Sequence, residues 1–193
     1  MSNSLRAEQK YKHIKGRSET TQGQNKTASM LVSISHRFLL LFALITVIPL
    51  VTHNQWITGT LVNAILILSY QLLGIRRALF LAFIPSIAAL TTGLLPLALV
   101  PIIPFIVTSN IILLLIFYWL ENVNELLKIT LAAFFKFAFL YISTHFITQF
   151  FLFDMQYSGV FILMSWHQFM TAAMGGIVAL SINKGLSKNE NIR

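Results

Sequence analysis

Six apolar runs divide this chain, and positive charge occupies only alternate gaps between them. A bilayer's hydrocarbon core takes about 20 helical residues to cross, and the runs near 34–52, 56–75, 77–95, 101–120, 128–152 and 160–182 reach or approach that length. Seven cations lie at or before Arg37, ahead of most of the first run. Arg76 and Arg77 fall between the second and third, Lys128 follows the fourth, and Lys184, Lys188 and Arg193 follow the sixth. The remaining gaps hold His53, the turn at 96–101 and Asp154, with no Lys or Arg. Cations concentrate on the cytoplasmic side of membrane proteins, so thirteen of the fourteen share one side and only Lys136 falls within a span. The expected fold is an all-α, six-helix transmembrane bundle with both termini cytoplasmic.

Composition narrows the function classes. Hydrophobic residues make up 56% of the 193, charged residues 10%, and the mean hydropathy is +0.74, leaving too little polar surface for a soluble domain. The net charge of +8 is not a nucleic-acid signal, because half of the cations lie at or before Arg37 instead of covering a folded face. With no cysteine, disulfides, thiolate-held zinc and iron–sulfur clusters are excluded. No Asp or Glu falls within a span, and no HExxH, Gly-x-Ser-x-Gly or P-loop pattern occurs, so no catalytic residue, metal site or cofactor is expected.

The chain divides into three parts. Residues 1–29, rich in Ser, Gln, Asn, Thr, Lys and Arg, read as a disordered basic cytoplasmic tail. Residues 34–183 form the membrane domain, and 184–193 a short cytoplasmic tail. The expected location is a bacterial plasma membrane, crossed several times. Within the spans, Pro85 is expected to kink the third helix, and Pro101 and Pro104 to open the fourth. Small residues four apart, Ala78 with Ala82 and Ala172 with Gly176, let helix backbones approach closely; Gly175 adds to this set. Ala78, Ala82, Gly175 and Gly176 are therefore candidates for helix packing or partner docking.

Polar residues within the spans are the candidate binding residues. With each helix read in its assigned direction, Asn63, His145, Gln149, Trp166, His167 and Gln168 fall in the outer half and Asn110 near the middle. Tyr141, His145 and Gln149 recur every four residues and share one face of the fifth helix, the expected wall of a pocket open to the outside. The same residues also suit interhelical hydrogen bonding without a ligand. Lys136, eight residues beyond Lys128, is expected to snorkel toward the cytoplasmic surface, to pair with Glu121 or Glu125, or to contact a partner protein.

Three segments carry a family resemblance. They are Gly59-Thr60-Leu61-Val62-Asn63-Ala64, Pro101-Ile102-Ile103-Pro104-Phe105 with Asn110, and Ser165-Trp166-His167-Gln168 with Gly175-Gly176. On these the chain resembles the substrate-binding S component of energy-coupling factor (ECF) transporters. It is also similar to small bacterial membrane proteins sometimes labelled "iron hydrogenase", a label incompatible with a chain lacking thiolates. The resemblance implies a subunit that captures a vitamin-like small molecule from the outer side under a lid formed by the His53 to Thr58 loop. It then topples in the lipid bilayer against a T component driven by two cytoplasmic ATPases. Many S components carry an Ala-x-x-x-Ala docking pair on the first helix, where Phe38 to Val51 offers only Ala43. The alternative is an integral-membrane scaffold or anchor subunit of another complex, with no ligand and no nucleic acid among its partners.

Overall fold

A computed structural model describes residues 32–52, 54–91, 97–151 and 166–190. Among these the regular structure is entirely helical. The helices are α1 (Val32–Val51), α2 (Gln55–Leu73), α3 (Ile75–Leu81), α4 (Ile84–Thr91), α5 (Ile103–Trp119), α6 (Glu125–Phe151) and α7 (Trp166–Glu190), with a 3-10 turn at Leu97–Ile102 before α5. Five apolar stretches are long enough to cross a membrane: Val32–Val51, Gln55–Leu73, Val100–Trp119, Glu125–Ile147 and Trp166–Lys188. The chain divides into two compact units at Leu39 and Leu40. In the first, the described residues are the opening turns of α1, where His36 Nδ1 lies 2.8 Å from the Val32 carbonyl. The second holds all that follows.

The third expected span is two short helices rather than one kinked helix. Pro85 has no N–H to give the carbonyl of Leu81. The ladder fails at Ala82 and Phe83, and α4 restarts with Pro85 in its first turn, where a missing N–H costs little. Neither piece, of seven and eight residues, reaches spanning length alone. At the start of the fourth span, Pro101 lies in the 3-10 turn and Pro104 in the first turn of α5.

A close α2–α7 contact organises the bundle. A Cβ at Gly175 would lie 2.7 Å from Asn63 Cβ, 2.8 Å from the Thr60 carbonyl oxygen and 2.9 Å from the Ala64 nitrogen, so the two backbones meet where no side chain fits. Gly176 turns instead to α6, with Ile129 Cγ2 2.7 Å from its would-be Cβ. Ile67, Leu68, Leu113, Phe117, Ile129, Ala132, Ala133, Ala172 and Ala179 fill the core between α2, α5, α6 and α7. Ala78 and Ala82 are fully buried, so their small side chains serve packing inside the bundle rather than an exposed docking face.

The connection between α1 and α2 is tighter than a lid loop. Asn54 caps α2, its Oδ1 accepting from the Trp56 amide at 2.9 Å, and Gln55 to Thr58 already lie in the first turn of that helix. Thr58 Oγ1 donates to the carbonyls of Thr52 and Asn54 at 3.0 and 2.9 Å, drawing the turn closed. The expected lid of His53 to Thr58 is therefore largely helix, and His53 itself lies outside the described residues. The basic tail at 1–29, Asp154, residues 160–165 and the side chain of Gln149 also lie outside them.

At the opposite end of α5, Lys128 sits in the first turn of α6 and pairs with Glu125 at 3.0 Å. Its ammonium lies 5.9 Å from the centre of the Phe117 ring. Arg76, Arg77, Lys184 and Lys188 are exposed.

Candidate functional site

A polar centre lies at mid-span, where the amine of Lys136 meets two amides from two other helices. Lys136 Nζ donates to Asn63 Oδ1 and to Asn110 Oδ1, each at 2.6 Å. The three residues are 3%, 1% and 2% exposed. Lys136 is the twelfth residue of the 23-residue span Glu125–Ile147, Asn63 the ninth of the 19 in Gln55–Leu73, and Asn110 the eleventh of the 20 in Val100–Trp119. Each sits at the middle of its span, the depth at which a polar group has least access to water.

A fourth element fixes the orientation of this group. Asn110 Nδ2 donates to the carbonyl of Ala82 at 3.3 Å. That carbonyl lies at the break before Pro85 and can only accept, so Asn110 must give it the NH2 end and present its oxygen to Lys136. The Ala82 carbonyl, in the break between α3 and α4, is thus the acceptor that aims the Asn110 amide. One turn further on, the buried Ser86 hydroxyl has no hydrogen-bond partner among the described residues.

Lys136 therefore neither snorkels to the surface nor pairs with Glu121 or Glu125. Among the described residues it has no acidic partner; the ion pair there is Lys128 with Glu125. The reason lies in the facial pattern of α6. Lys128, Ala132, Lys136, Leu140 and Thr144 recur every four residues and are buried, so they form the row turned into the bundle. Tyr141 and His145 belong to the next row, about 100° around the helix, and both are exposed.

The expected wall of Tyr141 and His145 consequently faces away from the core. Tyr141 packs its ring 5.8 Å from that of Phe137, on the outer side of α6. The signal that would have identified Lys136 was its four-residue register with Ala132, because small residues mark the side of a membrane helix that packs closely. Its eight-residue separation from Lys128 indicates the same face.

The outer-end candidates form a separate group. Where α2 and α7 begin, the His167 ring lies 4.5 Å from Trp56 and 4.7 Å from Trp166, and the two indoles meet edge to face at 5.5 Å. Trp166 is exposed, while His167 and Gln168 are half-buried. His167 Nδ1 is buried without a hydrogen-bond partner among the described residues. The amphipathic indoles suit the boundary between lipid and water. Of the residues expected to bind together, the structure joins Asn63 to Asn110 through Lys136 and groups Trp166 with His167.

Comparisons with protein-family models, curated proteins and solved structures return no match.

Proposed function

We propose that this chain is the membrane-embedded, small-molecule-binding subunit of an ECF-type importer in a bacterial plasma membrane, with both termini cytoplasmic. The observation that carries the reading is the mid-span Lys136 held by Asn63 and Asn110. A basic side chain at this depth is costly, and where such residues occur they characteristically line the path or site of a ligand. Packing alone calls for no charge there, since a neutral residue would join the helices without it.

In this reading the rigid contact of α2 with α7 holds Asn63 in place, while the interrupted third span holds Asn110 through Ala82. With both termini cytoplasmic, the aromatic group of Trp56, Trp166 and His167 would stand at the outer ends of α2 and α7. The captured molecule would be a vitamin-like micronutrient, delivered by movement against a T component powered by two cytoplasmic ATPases. The test is affinity purification of the full-length chain from its native membranes. A transmembrane T component and two ATPases are expected to copurify, and their absence under conditions that preserve other membrane complexes overturns the importer assignment.

A second reading draws on the exposed face of α6. Phe134, Phe135, Tyr141, Ile142, His145 and Phe146 lie outward, and such a face also suits a scaffold subunit packed against another membrane protein. Copurification of an integral-membrane partner without ATPases would favour it.

A further inference from the structure

Lys136 brings a basic amine to mid-span, and the two groups that accept its hydrogen bonds are both uncharged. An ammonium has three N–H donors, and among the described residues two acceptors meet it, both neutral amide oxygens. The direction of the amides matters. Asn110 is obliged by Ala82 to present its oxygen, so the negative end of its dipole faces the amine. Asn63 also offers Oδ1, from a backbone pinned by Gly175. Two fixed amide oxygens thus face the amine, and neither carries a formal charge.

We infer that the Lys136–Asn63–Asn110 centre is a receptor for the carboxylate of an anionic small molecule, with Lys136 as counter-ion and the two amides as its positioning residues. The inference rests on the binding-subunit reading above and adds the class of ligand. Three features carry it. The amine lacks an acidic partner among the described residues. Its mid-span depth separates it from the phosphate groups of a lipid surface. A carboxylate bound there would form a charge-assisted hydrogen bond in a medium of low dielectric, where such a bond is stronger than in water.

The rest of the site fits an acid rather than a base. Asn63, Asn110 and the Ala82 carbonyl are neutral, so no fixed negative charge among them would repel an incoming carboxylate. An amine-bearing ligand would instead meet Lys136 with like charge. The ligand's remaining atoms would lie among the apolar side chains of α2, α5 and α6, which requires a compact and largely uncharged body.

The experiment uses full-length protein in a neutral detergent, with acid and neutral members of matched pairs: nicotinate and nicotinamide, pantothenate and pantothenol, biotin and biotinamide. Butyrate and benzoate serve as minimal carboxylates, and phosphatidylglycerol as a lipid anion. Binding is read as a concentration-dependent rise in melting temperature. At least one free acid is expected to stabilise the protein, with its neutral counterpart at least about tenfold weaker. Lys136→Met should abolish that preference and Lys136→Arg should retain it. Should Lys136→Met not fold, the acid-to-neutral comparison on the unaltered protein and on Lys136→Arg decides.

Equal stabilisation by acid and neutral members overturns the inference, as does an acid preference that survives Lys136→Met. A phosphatidylglycerol effect matching that of the best acid also overturns it, as does the absence of a shift from every acid tested. The importer assignment fails separately. Copurifying ATPases without acid discrimination leave the importer and remove the carboxylate, whereas acid discrimination without ATPases does the reverse.

Discussion

Lys136 Nζ and Asn63 Oδ1 lie 2.6 Å apart although 73 positions separate them in the chain. That bond joins α6 to α2, which otherwise meets α7 along its glycine contact. A hydrogen bond with a charged partner typically contributes about 1.5–3 kcal/mol. Its removal leaves the other partner buried and unsatisfied, so its loss should register in stability as well as in binding.

Asn110→Leu should be more damaging than a usual surface change. It removes the acceptor for Lys136 and the donor for the Ala82 carbonyl together, and a cost of about 2–4 kcal/mol is expected from two stranded polar groups. In the double variant with Lys136→Met, the cost should fall below the sum of the two single costs by about 1 kcal/mol or more. Denaturation of all four proteins in one detergent supplies the cycle; strict additivity would mean that the two side chains do not interact.

The glycines of α7 should differ sharply from one another. Gly175→Ala places a methyl group within 2.9 Å of the backbone of α2, which cannot yield as a side-chain tip can. A loss of about 2 kcal/mol or more is expected from overpacking. A Cβ at Gly185 meets nothing within 4 Å, and Gly185→Ala should stabilise the helix by up to about 1 kcal/mol. Melting temperatures measured side by side test this ordering.

Pro85→Ala should rejoin the third span. An amide at position 85 offers the Leu81 carbonyl a donor again, and the healed ladder would compete with Asn110 for the Ala82 carbonyl. Amide hydrogen exchange at 83–87 is expected to slow in the variant. Unchanged exchange there would show that Pro85 does not cause the break.

Tyr141→Ala and His145→Ala should leave ligand-dependent stabilisation intact, since both side chains lie on the exposed row of α6. Lys136→Met should not. Loss of the ligand response in His145→Ala alone would place the site on the outer face instead.

Orientation can be read by labelling, because the chain has no cysteine of its own. A single cysteine replacing exposed Asn54 should react with an impermeant maleimide in intact cells. One replacing Ser187 should react only after the membrane is opened. The reverse pattern would invert the charge-based topology.

The sequence by itself determined the membrane-capable helices, since hydrocarbon thickness sets a run length that five described helices meet. It also exposed Pro85 as the weak point of the third span and Gly175 and Gly176 as packing positions, because a missing N–H and a missing side chain act locally. It left open which row of α6 faces inward. Periodicity established that Tyr141 and His145 share a row, but a row has no inward direction until neighbouring helices surround it. Only the tertiary structure decided that the buried row of α6 is the one holding Lys136, and that Asn63 and Asn110 meet it there. The physical reason is that helix rotation is chosen by packing over the whole length of each helix. Once the small residues of α2, α6 and α7 are in contact, the lysine must face the amides at mid-span.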